Sequence, residues 1–287
     1  MPSPNLAAMN TDWECVVIGG GVAGLSAALA LGRARRRTLV LDSGGQSNRP
    51  AAHVGGLLGQ EGTAPGELYA RAREQLAGYD AVVIRDAEAV DARAEGDGFV
   101  VVLGDGSGEV STRVLVLATG MDYEVPDVPG FREQWGDAVF HCPFCHGWEV
   151  RDRRLVVCGD GPTAERQAAL LRAWSDDVTV VDPSGVAGLR VEEGVLRAVV
   201  RQDGSEVASD AVLVHAPLRG RGRLPERLGL TLTDQGLVEV DEQARTSVPG
   251  VYAAGDIAVA PQQVAIAMGS GHLAGVAAVR ELVLGRT

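Results

Sequence analysis

Short apolar runs closed by glycine alternate along this chain with Ala/Leu-rich stretches of helical period. That is the pattern of strands buried on both faces and joined by helices. Cys15–Ile18 is the first such run; it leads into Gly19-Gly20-Gly21-Val22-Ala23-Gly24 and then a helix to about Leu31. The next strand, Thr38–Leu41, ends in Asp42. Residues Ser43 to Gly62 read as a glycine-rich loop and Gly66 to Gly78 as an amphipathic helix. Ala81–Ile84, Glu88–Arg93 and Phe99–Leu103 read as strands, with a turn at Gly104–Gly108. Val114–Leu117 is a fully buried strand closed by Ala118-Thr119-Gly120.

Two prolines in Pro126-Asp127-Val128-Pro129-Gly130 end both helix and strand and mark a domain crossing. A second strand, glycine loop and helix follow: Leu155–Val157, Cys158-Gly159-Asp160-Gly161-Pro162-Thr163-Ala164, and a helix to about Trp174. The strand Val178–Val181 then ends at Asp182. Val195–Arg201 and Glu206–His215 read as a hairpin-like pair around Gln202–Ser205. The last strand, around Val251-Tyr252-Ala253-Ala254-Gly255-Asp256, runs into a long helix, Gln262–Leu284, that packs back on the first domain. The expected class is therefore α/β, with two Rossmann-like domains of three-layer ββα type, the second reduced in size. The boundaries predicted are 1–122 with 217–287 for a discontinuous first domain, and 123–216 for the second.

The glycine spacing carries chemistry. Gly19, Gly21 and Gly24 let backbone approach a pyrophosphate at a helix N-terminus, and Asp42, about 20 residues on, can accept from ribose hydroxyls. A lone GxGxxG is weak; the complete strand, glycine, helix, strand, acid series is a strong sign of dinucleotide binding. Gly159-x-Gly161-x-x-Ala164 with Asp182 repeats the theme. Between Pro183 and Ala216, however, the hairpin-like pair fills most of the span, and a further parallel crossover of about 10 to 12 residues does not fit.

Between the two folds stands His141-Cys142-Pro143-Phe144-Cys145-His146-Gly147-Trp148-Glu149. Thiols at this spacing can close a disulfide across one helical turn, and Pro143 presets φ for a short helix beginning there. A helix N-terminus and a neighbouring imidazolium both favour thiolate. Zinc would need a second ligand pair, and Cys15 and Cys158 stand alone in apolar runs, so no metal is expected. Cys-Pro-Phe-Cys-His also matches covalent haem attachment, which belongs to exported chains; Met1 to Asp12 lacks a basic start followed by an apolar stretch and reads as a loose tail. A purely structural disulfide does not suit a cytoplasmic chain, where thiols are kept reduced.

The 287 residues suffice for about two domains, with 46% hydrophobic and 22% charged residues as in ordinary globular proteins. No apolar run reaches the ~20 residues of a membrane span. A net charge of −12 argues against nucleic acid and acidic membranes as partners. The basic runs Arg33–Arg37 and Arg219–Arg223 fit a helix C-terminus and an exposed loop.

Taken together, these motifs resemble the low-molecular-weight thioredoxin reductases over nearly the full chain. The resemblance rests on Gly19-x-Gly21-x-x-Gly24, Gly44-Gly45-Gln46, Ala118-Thr119-Gly120, a CxxC ahead of a second GxGxxA, and Val251–Asp256 followed by Gln263, in the family's order. It implies FAD held by Gly19, Gly21, Gly24, Asp42, Gly45, Gln46, Asn48, Thr119, Gly120, Gly255, Asp256, Gln263 and Val264. It also implies a homodimer, with Cys145 meeting the flavin and Cys142 exchanging with substrate. There are three departures. His146 replaces the family's acid after the second cysteine, with His141 on the other side; His53 aligns with the family's loop asparagine; and Val181-Asp182-Pro183-Ser184-Gly185 stands where arginines bind the NADPH 2′-phosphate. An acid there repels that phosphate, so a role for NAD(P)H is doubtful.

These features look more like a branch of the family, the flavin-dependent dithiol oxidases that close disulfides in small natural products such as epidithiodiketopiperazines and holomycin. That resemblance implies dithiol oxidation with O2 as acceptor and H2O2 formed. A substrate thiol of pKa near 8.5 needs a base, for which His146 is the first candidate and His141 the second; His53 and His272 are further candidates for the pocket. The competing readings are a disulfide reductase fed by NADH, NADPH or another donor, and a flavin-binding redox sensor without turnover. Phe144 and Trp148 suit either a small-molecule or a protein dithiol or disulfide.

Overall fold

In the computed structural model residues 13–285 are described, so the tail expected over 1–12 lies outside the described residues. The chain begins β1 (Trp13–Ile18), α1 (Val22–Arg33), β2 (Thr38–Asp42), α2 (Pro65–Leu76), β3 (Val82–Asp86), β4 (Ala89–Glu95), β5 (Gly98–Leu103), β6 (Glu109–Leu117) and β7 (Met121–Tyr123). It continues β8 (Val139–Phe140), α3 (Pro143–His146), β9 (Leu155–Cys158), α4 (Gly161–Leu171), β10 (Val178–Val181), β11 (Val186–Glu192), β12 (Val195–Arg201), β13 (Glu206–Ala208) and β14 (Ala211–Val214). After β15 (Leu218–Gly220) and α5 (Leu224–Arg227) come β16 (Val251–Ala253) and α6 (Val264–Leu284). No helix among the described residues is long and apolar enough to cross a membrane.

Two compact units divide this chain. The first comprises residues through Gln46, Gly66–Asp122, and Arg219 onward. Its seven-stranded sheet runs β3-β2-β1-β6-β5-β4, with β16 also paired to β6. β1, β2, β3, β6 and β16 are mutually parallel, with Cys15 opposite both Thr38 and Val114, and Val251 opposite Leu115. β4 and β5 extend the sheet as an antiparallel meander from β6. Cys15, Val16, Val17, Leu115 and Val116 have no exposed surface, which is why their run is apolar throughout. α6 lies directly on α1: a Cβ at Gly271 would come within 2.0 Å of the Ala23 carbonyl oxygen, and one at Gly275 within 2.5 Å of that of Ala27. Only glycine permits this approach, and it closes the first unit with the last helix.

The second unit comprises Ser47–Pro65 and Tyr123–Leu218. Its parallel sheet has four strands in the order β10-β9-β14-β8, with one crossover helix, α4, between β9 and β10. The next strands, β11-β12-β13, form a separate antiparallel sheet. The expected hairpin-like pair is therefore a three-stranded meander, and Glu206–His215 splits in two. β13 stays on β12, with Ala198 opposite Ala208, while β14 joins β9, with Ala211 opposite Leu155. Ser209 makes the break: fully buried, it donates its hydroxyl to the Ala211 carbonyl at 2.8 Å. Phe131, Val139, Val156, Val199 and Val212 are buried between the parallel sheet and this meander.

Ser47–Pro65 falls outside the predicted boundaries of the second domain yet packs with it. A Cβ at Gly136 would lie 2.8 Å from the Pro50 carbonyl carbon, and one at Gly55 would lie 2.7 Å from the Cys145 carbonyl oxygen. The two chain crossings, β7 and β15, pair as a short ribbon.

Candidate redox site and dinucleotide cradle

The redox turn belongs to the second unit. Cys142 is the extended N-cap of α3 (φ −116°), Pro143 occupies the first helical turn, and the Cys145 N–H donates to the Cys142 carbonyl at 3.1 Å. This single turn brings the Cα atoms to 5.3 Å, and the two sulfurs form a disulfide. Pro143 removes a backbone donor that would have no partner and fixes the entry to the turn. Trp148 and Phe144 are exposed; the Phe144 ring meets Trp174 edge-on at 5.5 Å, and the Arg151 guanidinium stacks 4.0 Å over Trp148.

The two histidines flanking the cysteines differ in environment. His141 clusters with Tyr123 (centroids 4.1 Å, tilted) and stacks on Trp135 (5.5 Å), and burial, with a contribution from His146, pushes its pKa down to about 4. His146 stacks on Phe140 and places Nε2 3.2 Å from the Gly136 carbonyl oxygen. Because a carbonyl only accepts, Nε2 carries the proton, and the lone pair of His146 is on Nδ1. Nδ1 is buried and has no partner among the described residues. Burial lowers the pKa of His146, opposed by the Gly136 bond and by Glu149 and Asp137, while His53 adds to the lowering. His53 itself lies 3.1 Å from Glu149 through Nε2 and Oε1, a partnership not foreseen in the sequence. His272 is on α6, which belongs to the first unit.

The first unit carries the cradle. Gly19, Asp42, Thr119 and Gly255 stand at the carboxyl ends of the adjacent parallel strands β1, β2, β6 and β16, the edge where open α/β sheets bind ligands. Gly19 has φ +112°, and a Cβ there would come within 2.1 Å of the Ala118 carbonyl oxygen; a Cβ at Gly24 would lie 1.8 Å from the Gly19 oxygen. These contacts fold β1 tightly into α1. Gly21, the α1 N-cap, faces open space, and no side chain caps the helix. The uncapped amides are anion-binding groups. Gln263 caps α6 in the same side-chain-free way, with Val264 next, and Gly255 and Asp256 form a short 3₁₀ turn before it. The Thr119 hydroxyl beside Gly120 is buried without a partner among the described residues.

These features fit a bound FAD: open amides for the pyrophosphate, an orphaned hydroxyl, and a glycine turn that a Cβ would fill. Asp42 is already engaged: it accepts from the Gly44 N–H (2.8 Å), Gln46 Nε2 (3.0 Å) and Arg73 (2.8 Å), the last from the amphipathic helix α2. Burial pushes the Asp256 carboxyl up to about 6, opposed by Arg221, which itself donates to Asp122 at 2.7 Å beside Gly45. Asn48 falls in the segment grouped with the second unit and so stands apart from the other cradle residues in sequence grouping.

The second glycine loop is less suited to a dinucleotide. Asp160 is the α4 N-cap, and its side chain makes no capping hydrogen bond. Asp182 accepts from the Ser184 N–H (2.8 Å) and hydroxyl (2.7 Å), and those bonds lower its pKa. Its charge stands directly after β10.

Comparison with known proteins agrees with the geometry. Residues 13–188 and 183–271 match the pyridine nucleotide-disulphide oxidoreductase family. The chain is 33% identical to the thioredoxin reductase tcpT of Claviceps purpurea, over 94% of each chain. Among solved structures, it superposes on HlmI with a TM-score of 0.90 at 38% identity, covering 96% of this chain and 93% of that one. It is similar also to an oxidoreductase from Agrobacterium tumefaciens, with a TM-score of 0.87 at 33% identity over 96% and 99%. The chain thus belongs to the pyridine nucleotide-disulphide oxidoreductases, as a thioredoxin reductase-like disulfide oxidoreductase whose relatives imply a bound flavin.

Proposed function

We propose that this protein is an FAD-dependent thiol oxidase that closes a disulfide in a dithiol substrate through Cys142 and Cys145, with O2 as acceptor and H2O2 as product. The observation that carries the reading is the redox turn: a disulfide on one helical turn, followed directly by His146, whose Nε2–H is committed to Gly136 and whose Nδ1 has no partner among the described residues. The Asp182 carboxylate supports the same direction, since an acid there disfavours the 2′-phosphate of NADPH. FAD would be held by the Gly19–Gly24 turn, Asp42, Gly45, Gln46, Thr119, Gly120, Gly255, Asp256, Gln263 and Val264, with Asn48 as a further candidate, and when bound supplies a two-electron acceptor that O2 can regenerate.

The residues act in sequence. His146 Nδ1 takes the proton of the first substrate thiol, whose sulfur bonds to Cys142 Sγ as the Cys142–Cys145 bond breaks, leaving the electron pair on Cys145. The second substrate thiol, its proton released to solvent, attacks the first substrate sulfur, and Cys142 leaves with the electron pair of the mixed disulfide. The substrate leaves as a disulfide, and the enzyme holds two reduced sulfurs. His141 is a weaker base for this task, because a group of pKa about 4 holds few protons near neutrality. Exposed Phe144 and Trp148 offer apolar surface to a small-molecule or protein substrate. A discontinuous FAD domain, a cytoplasmic location and a homodimer complete the proposal.

A reductase fed by NADH is the second reading. It is favoured by one feature, the α4 N-terminus, where Gly161 faces open space and no side chain caps the amides. Steady-state assays separate the two. The oxidase reading expects O2 uptake with stoichiometric H2O2 when dithiothreitol is supplied, and no nicotinamide consumption; NADH oxidation coupled to disulfide reduction would replace it with the reductase.

A further inference from the structure

The loop Pro50–Gly56 is held onto the redox turn at three places. Gly136 packs on Pro50 and Ala51, Gly55 packs on the Cys145 carbonyl, and His53 pairs with Glu149 at 3.1 Å. The first two contacts are steric and leave no room for a side chain; the third is the polar clasp. Its two members are each about 29% exposed, so the pair is partly shielded from solvent. Glu149 follows His146 on the same turn, its N–H donating to the His146 carbonyl at 3.1 Å. Both members also act electrostatically on His146, in opposite senses.

We infer that His53 and Glu149 are positioning residues for thiol chemistry at this disulfide: their pair fastens the Pro50–Gly56 loop to the redox turn and so holds His146, on that turn, in place for proton transfer. The inference rests on the role proposed above for His146. A carboxylate only accepts, so His53 Nε2 bears the hydrogen in the pair. Glu149 stabilises a proton on His146; His53 draws on the same carboxylate and opposes it. Asp137, from the turn after Gln134, also favours the proton on His146, and His146 in turn lowers the pKa of His141. Phe140 closes one face of the ring. Glu149 and His53 are thus opposed controls, which a merely structural clasp would not be.

The test is the titration of the His146 ring followed by 1H–13C NMR in the oxidised holoenzyme, with its resonance assigned by loss in His146→Gln. Glu149→Gln should move the midpoint to lower pH by about half a unit or more, because a nearby opposite charge favours the protonated form. His53→Gln should move it to higher pH, and Glu149→Asp should restore most of the wild-type midpoint. Alkylation of Cys142 after mixing with dithiothreitol, across the same pH range, should show its acid limb moving with the NMR midpoint. Shifts of the same sign in both variants, or none in either, would overturn the inference while leaving the oxidase reading intact. A wild-type disulfide that dithiothreitol does not open would instead defeat the oxidase reading, and the NMR midpoints would still decide the pair.

Discussion

Replacing Gly55 by alanine adds one methyl group at the closest contact between the 47–65 segment and the redox turn. The new Cβ would sit 2.7 Å from the Cys145 carbonyl oxygen and 3.4 Å from its carbonyl carbon. A carbon–oxygen contact relaxes near 3.3 Å, so backbone must move by about 0.6 Å. The backbone at Gly55 has no left-handed φ, and the effect is therefore steric. Overpacking of this kind costs about 1–3 kcal/mol, and a half-buried loop that can yield falls at the lower end, a loss of roughly 2–6 °C in Tm. The displaced group is the carbonyl of a reactive cysteine, and a shift of about 1 Å at a reacting centre can cost 10²-fold, so a loss near tenfold in dithiol turnover is expected. Thermal unfolding of the holoenzyme and O2 uptake measure the two effects. Gly66→Ala is the control: it lies in α2 with nothing within 4 Å of its Cβ, and should stabilise by about 0.5 kcal/mol. Wild-type Tm and turnover in Gly55→Ala would refute the close packing of this loop.

Cys142→Ser and Cys145→Ser should each abolish dithiol turnover while the purified protein stays yellow; full activity in either would remove the redox pair from the mechanism. His146→Ala should slow dithiol oxidation most near neutral pH, and an unchanged pH–rate profile would count against it as the base. Asp256 titrates near 6 in the folded state, above its unfolded value, so the stability it contributes is complete below pH 4 and lost as pH rises through 6. Urea unfolding of the flavin-free protein should therefore show Asp256→Asn gaining on the wild type between pH 4 and pH 7 by up to about 3 kcal/mol; a constant difference would contradict the buried carboxyl.

Local chemistry made much of this architecture legible. Cys15–Ile18, the Gly19–Gly24 turn and Asp42 form one contiguous signal, because a buried parallel strand, a tight turn and a helix each demand particular residues at fixed spacing. The CxxC turn is local in the same way: Pro143 and the spacing suffice to expect one helical turn. What remained hidden depends on contacts between distant residues. Arg73 reaches Asp42 from a helix whose sequence reads only as amphipathic, and Gly271 and Gly275 look like ordinary small residues until α6 lies on α1. Glu206–His215 reads as one apolar-polar strand, and the break at Ser209 follows from two sheets competing for it. The grouping of Ser47–Pro65 with the second unit, and with it the His53–Glu149 pair, depends on glycine contacts at Gly55 and Gly136 that carry no local signature.

The most direct test of the central claim is an anaerobic absorbance titration of the purified yellow protein, first with NADPH and NADH and then with dithiothreitol. The account predicts that neither nicotinamide bleaches the flavin band, that dithiothreitol does, and that admitting air restores the colour with one H2O2 formed per dithiothreitol oxidised. Rapid bleaching by either nicotinamide, with no response to dithiothreitol, would contradict it.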